Sequence, residues 1–385
     1  MRKMILAFLV SILAALPAWA QDSAKPAATQ NALLVGWDGA HRDHVKTLLK
    51  DGKLPNLEKL IKEGALVDID VTSGATDTKA GWTQILTGYK PAVTGVYNNA
   101  RFRDVPEGYS IFERLRAWFG ADRMATVAVI GKKGHCGEID APFKRPYDPA
   151  TDVPQAKPGK KAKPGAKQKA GAKPKMRGRV VEEDGRLFLV FDGSPYYTMH
   201  KHCDAWHFGL AQDARVGDMA IEMLDQYAKK PFFFFVHFAE VDHSGHKHGE
   251  PSKEYDDAII SGDKQLGRLV EKLKALGVYD KTLIYVTADH GFDVGQKRHR
   301  AAPYVFLGTN DKQVMRNGCR ADVTPTVLAR LGVDLGSIRP PLDGEPLIKP
   351  ATKAIGTPVT EPPAKPKAKP GKAKPRAKRK AKPAG

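Results

Sequence analysis

Residues 232–246 read FFFFVHFAEVDHSGH, and residues 283–291 read LIYVTADHG. Each stretch is a continuous apolar run, typical of a strand covered on both faces of a parallel sheet, and each ends in Asp and His residues. Open α/β sheets bind ligands beyond the carboxyl ends of their strands, and carboxylates and imidazoles are ligands that Zn²⁺ prefers. The two stretches therefore predict a parallel sheet with a metal site at one edge.

The rest of the chain alternates between predicted strands and predicted helices. Further strands are predicted at residues 32–36, 66–71, 125–130, 187–191, 282–287 and 304–307, and helices at 56–63, 111–118, 214–227, 255–276 and 323–331. This alternation predicts an α/β fold, a three-layer sandwich whose mostly parallel central sheet is covered by helices on both faces. We expect a single catalytic domain over residues 31–349.

Two Lys-rich segments account for the formal net charge of +19. Residues 155–179 and 362–385 each hold ten Lys or Arg and no acid, and the remainder has 42 basic against 43 acidic residues. Mixtures of Lys, Pro, Ala and Gly cannot bury enough apolar surface to fold, so we expect a disordered insert at 155–179 and a disordered tail over 350–385. Such segments could bind anionic lipid, polysaccharide or nucleic acid, or could serve only as a solvated linker and tail.

Residues 1–20 have the pattern of a secretory signal peptide. Arg2 and Lys3 form a charged start, residues 4–15 are apolar, and Ala18-Trp19-Ala20 is a small-x-small cleavage site. We expect an exported protein, periplasmic or secreted. No later stretch approaches about 20 uncharged apolar residues, so an integral membrane enzyme is not expected. The three cysteines allow at most one disulfide, and their spacing does not decide whether it forms.

Asp242 and His246 are the most specific of the candidate metal ligands. Ser244-Gly245 lies between them and predicts a tight turn that brings both side chains to one point. His243 and His248 are the alternative ligands in the same segment.

Further candidates lie at the ends of other predicted strands. Asp38 follows the strand 32–36 and enters a Gly turn, which is weak evidence alone. Asp289 and His290 are neighbours in a turn, where both can reach one ion, whereas on a regular strand they would point apart. His299 precedes the strand 304–307. These positions predict that several ligands meet at one sheet edge.

In this order the motifs resemble those of the alkaline phosphatase superfamily, and within it the type I phosphodiesterase/nucleotide pyrophosphatase and sulfatase-like branch. The resemblance rests on Gly36-x-Asp38-Gly39, Leu86-Thr87-Gly88, Val241-Asp242-x-x-Gly245-His246-x-x-Gly249, Thr287-Ala288-Asp289-His290-Gly291, His299-x-x-x-Pro303 and Asp322-Val-Thr-Pro-Thr-Val-Leu-Ala-Arg-Leu-Gly332. It extends over residues 31–349 apart from the basic insert.

The resemblance implies a site with two divalent metal ions. Zn²⁺ is usual in the phosphatases and diesterases, and a set of carboxylates and imidazoles would also admit Mn²⁺ or Ca²⁺. By this resemblance Asp242, His246 and His299 would hold one ion. Asp38, Asp289 and His290 would hold the second, together with the oxygen of the nucleophile.

The nucleophile is expected in residues 73–83, where the hydroxyl candidates are Ser73, Thr76, Thr78 and Thr83. Related sequences place it at a helix N-terminus ten residues before the Gly of Leu-Thr-Gly, and this position is Thr78. Sulfatases of the superfamily need an oxidisable Cys or Ser there. Thr cannot form the required aldehyde, and Trp82 stands in place of the sulfatase Arg, so sulfate ester hydrolysis is disfavoured.

The resemblance also implies an amide that donates to a phosphate oxygen, assigned to Asn99 with Asn98 as the alternative. A monoesterase would need an extra cation, for which the sequence offers several candidates: Lys79, Lys132, Lys133, Lys201 and Arg298. The function implied is an exported metal-dependent phosphoester hydrolase acting on diesters, nucleotide pyrophosphates or monoesters through a phosphothreonine. The alternatives are a transferase at the same site and an inactive protein that binds polyanions.

Overall fold

A mostly parallel sheet of eight strands forms the centre of the protein. The computed structural model describes residues 30–149, 152 and 178–359. The strands are β1 (Asn31–Trp37), β2 (Ala65–Asp70), β3 (Ala125–Ile130), β4 (Phe143–Pro146), β5 (Arg179–Glu183), β6 (Arg186–Phe191), β7 (Ala205–Phe208), β8 (Phe232–Phe238), β9 (Thr282–Thr287), β10 (Tyr304–Thr309) and β11 (Gly318–Cys319). The central sheet has the order β11-β2-β10-β9-β1-β8-β3-β7. In it β10 runs antiparallel to β2 and β9, and the other pairs are parallel.

Helices pack against this sheet. They are α1 (Arg42–Lys50), α2 (Pro55–Glu63), α3 (Thr78–Thr87), α4 (Pro91–Thr94), α5 (Ile111–Phe119), α6 (Tyr197–His200), α7 (Asp213–Tyr227), α8 (Glu240–His248), α9 (Lys253–Ala275) and α10 (Val323–Arg330). Every residue of β1 and β8 is buried, so both faces of the sheet centre are covered. The predicted α/β fold with a mostly parallel sheet is confirmed.

One predicted strand lies in a second, smaller sheet. Residues 187–191 belong to β6, which pairs with β4 and β5 in an antiparallel sheet. Most residues of this sheet are exposed or half-buried, unlike those of the central strands. The short strands β4, β5, β7 and β11 were not predicted, because two to five residues carry no clear apolar run.

Several sequence predictions concern residues at the limits of the described chain. The signal peptide 1–20, most of the basic insert and residues 360–385 lie outside the described residues. Residues 351–359 are described and follow the domain surface, where the N–H of Val359 donates to Val71 O at 2.8 Å. In the described part of the chain no helix is long and apolar enough to cross a membrane.

The three cysteines are unpaired. Cys136 and Cys319 are buried, and Cys203 is half-buried. Burial raises the pKa of the Cys136 thiol well above its ordinary value, so this side chain behaves as a small buried group. The structure therefore has no bridge among the three.

Candidate metal centre and nucleophile

Three adjacent parallel strands bring the predicted ligands to one edge of the sheet. Strand β1 lies between β8 and β9, and the pairings Trp37–Phe238 and Gly36–Thr287 align the carboxyl ends of the three strands. The side chains that follow these ends are therefore neighbours: Asp38 after β1, Asp242 and His246 after β8, and Asp289 and His290 after β9.

The prediction of a tight turn between Asp242 and His246 is wrong. Both residues lie in helix α8, one turn apart on the same face, with His246 Nε2 3.4 Å from Asp242 Oδ1. Gly245 is needed for close packing instead of a turn, because a Cβ there would lie 2.5 Å from the Phe292 ring. The i, i+4 spacing of a helix achieves what the turn was expected to do.

The two alternative histidines on this helix face elsewhere. The His243 side chain is exposed, and His248 Nδ1 lies 3.6 Å from Glu254 Oε1. The helical geometry thus favours His246 over both as a ligand.

Three imidazoles present the same nitrogen to the centre of the cluster. The Nδ1 atoms of His246, His290 and His299 lie against the backbone oxygens of Lys297, Gly291 and Thr76, respectively. A carbonyl oxygen can only accept, so each Nδ1 carries a proton, and in a neutral ring the Nε2 then keeps its lone pair. The Nε2 atoms of His246 and His299 lie 3.2 Å apart. This is the arrangement by which backbone contacts orient metal-binding histidines.

Unpartnered buried atoms mark the place where a cation would fit. Asp242 Oδ1, Asp289 Oδ2 and His290 Nε2 are buried without a hydrogen-bond partner. Two groups of ligand atoms lie within 4.8 Å of one another: Asp242 with His246 and His299, and Asp38 with Asp242 and His290. Because buried polar atoms ordinarily have partners, the residues present fit bound metal ions.

The carboxylate of Asp289 contacts the backbone of Gly39 and the ring of His290. Its Oδ1 accepts from the N–H of Gly39 at 3.2 Å, and its Oδ2 lies 3.4 Å from His290 Nε2. Burial and the neighbouring charge of Asp38 hold its pKa well above the ordinary value. A carboxyl in this setting favours a nearby cation, which would restore its ionised form.

Asp38 is held by three donors from different elements. Its Oδ2 accepts from Trp82 Nε1 at 3.2 Å and lies 2.8 Å from His237 Nε2, while its Oδ1 accepts from Lys132 Nζ at 2.7 Å. Burial alone raises the pKa of Asp38, but Lys132 and His237 outweigh it and hold the pKa well below the ordinary value. Sequence reasoning missed Trp82 and His237 as partners of this carboxylate, although a His inside the apolar run 232–238 was a signal.

Lys132 contacts the carboxylates of Asp38 and Asp242 and the hydroxyl of the predicted nucleophile, Thr78. Its ammonium donates to Thr78 Oγ1 at 2.9 Å and lies 2.8 Å from Asp242 Oδ2. Burial alone lowers the pKa of Lys132, but Asp242 and Asp38 raise it above its ordinary value, so the side chain stays charged. Of the candidate cations, Lys79 instead pairs with Glu138, and Lys133 is exposed.

Thr78 is the first residue of helix α3. Asp77 caps the helix, accepting from Ala80 N at 3.4 Å and from the N–H of Asn99 at 2.8 Å. Asn99 in turn accepts from the N–H of Lys79 through Oδ1 at 2.9 Å, and its Nδ2 lies 3.4 Å from His135 Nδ1. Asn98 accepts from the N–H groups of residues 100 and 101 and serves as a turn residue. The amide nearest Thr78 is therefore that of Asn99.

A buried arginine connects two segments of the site: residues 71–77 between β2 and α3, here called the nucleophile loop, and the turn at Asp289. Arg320 is fully buried and donates to Asp289 O at 2.8 Å, to Ser73 O at 2.7 Å and to Ala75 O at 3.2 Å. Burial lowers its pKa to about 10. Thr76 and His299 are joined reciprocally, since the Thr76 hydroxyl donates to His299 O and His299 Nδ1 donates to Thr76 O. No local pattern in the sequence indicates this role of Arg320.

The central sheet, with the carboxylate–imidazole cluster at its edge, has an alkaline-phosphatase-like fold. A solved structure of a protein in the alkaline phosphatase superfamily from Vibrio parahaemolyticus aligns with a TM-score of 0.50 and 18% identity, over 85% of this chain and 72% of that chain. The family model for type I phosphodiesterase/nucleotide pyrophosphatase matches residues 32–339, and the chain belongs to this family. The resemblance inferred from the sequence motifs is confirmed.

Curated relatives match over a limited part of their length. Human bis(5'-adenosyl)-triphosphatase ENPP4 is 23% identical over 260 residues, 67% of this chain and 47% of that protein. The venom phosphodiesterase CdcPDE of Crotalus durissus collilineatus is 34% identical over 99 residues, 26% of this chain and 12% of that protein. The chain therefore spans less than half the length of these two relatives.

Proposed function

We propose that the protein is an exported phosphoester hydrolase that uses Thr78 as nucleophile and two divalent metal ions, of which Zn²⁺ fits the ligand set best. One observation carries the proposal. Of the four candidate hydroxyls, Thr78 Oγ1 contacts the same ammonium as Asp38 and Asp242. By contrast, Ser73 bonds to Gln84 and Thr76 to a backbone carbonyl.

We assign the ligands of the two ions as the sequence motifs imply. Asp242, His246 and His299 would hold one ion, and Asp38, Asp289 and His290 the other, next to Thr78. Bound dications supply Lewis-acid chemistry and make a hydroxyl easier to ionise at neutral pH. Asp242 Oδ1 lies between the two sets, because the Nε2 atoms of His246, His290 and His299 are all 3.4–3.9 Å from it, and Asp242 also lies within reach of Asp38 and His290.

The residues of the chain then carry out two displacements. In the first, the Thr78 hydroxyl loses its proton to solvent and a bond forms between Oγ1 and phosphorus. The bond to the leaving oxygen breaks with its electron pair on that oxygen, which takes up a proton from solvent, giving a phosphothreonine. In the second, a water oxygen replaces Oγ1 on phosphorus, and the Thr78 hydroxyl is restored. The Lys132 ammonium, 2.9 Å from Oγ1, stabilises the negative charge on this oxygen. Asn99 would donate through Nδ2 to a phosphate oxygen, in place of its contact with His135 Nδ1 at 3.4 Å.

A substrate panel with three variants tests the nucleophile. Turnover of bis-p-nitrophenyl phosphate, p-nitrophenyl phosphate and p-nitrophenyl sulfate is measured for the parent chain, Thr78→Ala, Thr78→Ser and Ser73→Ala. We expect phosphate ester turnover to fall about a thousandfold or more in Thr78→Ala, to persist in part in Thr78→Ser, and to stay near the parent value in Ser73→Ala. Unchanged turnover in Thr78→Ala would contradict the assignment, and transfer to an added alcohol in place of water would identify a transferase.

We also propose that the basic segments bind an anionic surface. The support is their composition, ten Lys or Arg without an acid in 155–179 and again in 362–385. Removal of residues 362–385 should weaken binding to vesicles containing phosphatidylserine in a salt-dependent way and leave turnover of a small ester unchanged. Equal vesicle binding with and without the segment would rule out this role for residues 362–385.

A further inference from the structure

His44, on helix α1, lies between two carboxylates that belong to other parts of the chain. Its Nδ1 lies 2.9 Å from Glu250 Oε1, and its Nε2 contacts Asp256 Oδ1. Glu250 follows helix α8, and Asp256 belongs to the first turn of α9. An ionised carboxylate can only accept, so both ring nitrogens donate and the imidazole is a cation. His44 therefore joins the three helices through charge-assisted contacts.

Glu250 also holds the loop that carries His299, residues 293–299, here called the His299 loop. The Oε2 atom of Glu250 accepts from the N–H of Gly295 at 3.0 Å, and the N–H of Glu250 donates to the carbonyl oxygen of the next loop residue at 3.0 Å. The loop contains no helix or strand, and residues 294–298 are exposed. Because these side chains are not buried, polar contacts such as those with Glu250 fix the position of the loop.

We propose that the cationic ring of His44 is a positioning residue: through Glu250 it holds the His299 loop against the metal centre, and its loss of charge at alkaline pH releases the loop. This inference rests on the proposed function in one respect, that His299 is a ligand of one of the two ions. The contacts of His44 are with Glu250, Asp256 and the ring of Tyr255, none of which is a proposed ligand.

The two charges of the His44–Glu250 pair stabilise each other. Burial alone lowers the pKa of His44, but the hydrogen bonds and charges of Glu250 and Asp256 outweigh it and raise the pKa above its ordinary value. For Glu250, burial raises the pKa, but His44 and the N–H of Gly295 outweigh it and hold the pKa below its ordinary value. The Glu250 side chain is only 6% exposed, so removal of its cationic partner would leave an uncompensated buried charge.

The other charged groups near His44 are neutral or have partners of their own. Burial lowers the pKa of His41, at the start of α1, so this ring is neutral at neutral pH. Ion pairs occupy the charged side chains of the neighbouring elements: Arg42 with Asp43 and Asp70, Lys253 with Asp257, and His248 with Glu254. Glu250 and Asp256 therefore determine the charge of His44.

The direction of the pH effect follows from the raised pKa of His44. The folded protein holds this proton more tightly than the unfolded chain, whose histidines titrate at about 6.5. The contacts of His44 therefore contribute fully to stability below that pH, and their contribution is lost as the pH rises through the raised pKa of the folded state. A neutral ring donates from only one nitrogen, so one of the two carboxylates then loses its donor.

Hydrogen exchange in the presence of EDTA tests the loop without any metal. Exchange of the peptide that covers the His299 loop is measured by mass spectrometry in the full-length parent chain, His44→Gln and His44→Lys, with correction for intrinsic rates. At about pH 7 we expect about tenfold faster exchange in His44→Gln and a rate near that of the parent in His44→Lys, which keeps a cation beside both carboxylates. A peptide from β8 should exchange at the parent rate in all three, because the loop and not the whole domain opens.

A pH series distinguishes a charged ring from a merely packed one. Protection of the parent loop should fall at alkaline pH toward that of His44→Gln. In Asp256→Asn the fall should begin at lower pH, because one of the two negative neighbours of the ring is lost. His202→Gln is the matched control and should follow the parent, since His202 also lies near two carboxylates, 3.5 Å from Glu107 and 3.7 Å from Glu113, but precedes the edge strand β7. Equal loop exchange in the parent and His44→Gln, or parent protection that stays constant through the alkaline range, would overturn the inference.

A metal measurement connects the loop to the proposed function. Chelator competition at about pH 7 should show about tenfold weaker binding of one Zn²⁺ in His44→Gln and a smaller loss in His44→Lys. The kcat for bis-p-nitrophenyl phosphate should fall in His44→Gln and recover when Zn²⁺ is added in excess, which a general folding defect would not show. Unchanged Zn²⁺ affinity in a variant whose loop has opened would overturn the connection to the metal. If the parent binds no metal, the proposed function fails, yet the exchange data still decide whether His44 holds the loop.

Discussion

The indole N–H of Trp82 donates to Oδ2 of Asp38 at 3.2 Å, so helix α3 carries both the proposed nucleophile and a donor that orients a proposed metal ligand. Gly36 makes this contact possible, because a Cβ at that position would lie 2.3 Å from the Trp82 ring. His237 and Lys132 complete the set of donors around the carboxylate. Asp38 thus connects β1, β3, β8 and α3, and its orientation is fixed by the protein itself.

Removal of the indole donor should weaken metal binding. In Trp82→Phe the Oδ2 atom of Asp38 loses one of its two hydrogen-bond partners, and contacts of this kind typically change metal affinity 10- to 100-fold. We expect about tenfold weaker Zn²⁺ binding, measured by competition with a chromophoric chelator. The buried ring is also reduced in size, which should lower the free energy of unfolding by about 1–3 kcal/mol.

Trp37→Phe provides the matched control. Trp37 is also fully buried, its Nε1 has no hydrogen-bond partner, and its ring packs on Phe306. This variant should lose a similar amount of stability and keep the parent Zn²⁺ affinity. If both variants lose affinity equally, the effect arises from packing and not from the bond to Asp38.

Arg320 should act on turnover through the nucleophile loop. In Arg320→Met the carbonyl oxygens of Ser73, Ala75 and Asp289 lose their donor, and each unsatisfied buried acceptor costs about 1–3 kcal/mol. We expect reduced stability together with a 10- to 100-fold lower kcat and little change in KM, because a loop displacement of about 1 Å is enough for such an effect. Steady-state kinetics below the melting temperature measures this.

Arg316→Met is the comparison for this prediction. Arg316 also donates to several backbone carbonyls, those of Asn317, Glu345, Pro346 and Lys349, but these belong to the C-terminal segment of the domain. Its loss should reduce stability without changing kcat. A fall in kcat of equal size in both variants would mean that general destabilisation, and not loop position, explains the result.

The fold could be predicted from the sequence because its central strands are long apolar runs. Strands such as β8 and β9 are covered on both faces, so their residues are almost all apolar. Such runs can be recognised in the sequence without knowing which strands lie next to them. The small sheet of β4, β5 and β6 could not be placed, because its pairing depends on contacts between short, half-exposed segments.

Part of the candidate site could be predicted for a similar reason. Asp38, Asp242 and Asp289 follow strand ends, and parallel strands bring such positions to one edge. Trp82 and Arg320 could not be found in this way, because their contacts join segments that are distant in sequence. Helix α8 was missed because a stretch rich in His, Ser and Gly carries weak helical propensity, and packing against Phe292 decides its conformation.

The metal ligands can be tested without an activity assay. His299→Ala and His246→Ala should each lower the Zn²⁺ content of purified protein, and the metal-dependent rise in melting temperature should shrink, since a ligand that binds only the folded state stabilises it. His248→Ala on the same helix should match the parent, because that imidazole faces Glu254. Elemental analysis and thermal melts with and without EDTA provide the two readouts. Full metal content in both of the first two variants would contradict the assigned set.

The last prediction concerns a buried carboxyl that caps the ligand-bearing helix. Asp213 is fully buried, its Oδ1 accepts from the N–H groups of Ala239 and Glu240 at the start of α8, and its Oδ2 has no partner. Burial and the nearby charge of Glu240 raise its pKa to about 7. The folded state therefore retains a proton that the unfolded chain releases near pH 4.

The contribution of Asp213 to stability should consequently fall as the pH rises from about 4 to 7, because over this range its carboxyl is protonated in the folded state and ionised in the unfolded state. Asp213→Asn keeps the Oδ1 acceptor and cannot ionise, so it should gain on the parent by up to about 4 kcal/mol between pH 4 and 8. Urea unfolding in EDTA at pH 5 and pH 8 measures the difference. Asp225→Asn, on the exposed side of α7, should show no such gain. If the parent and Asp213→Asn have parallel pH profiles, Asp213 is already ionised in the folded protein, and the cap of α8 carries a full negative charge.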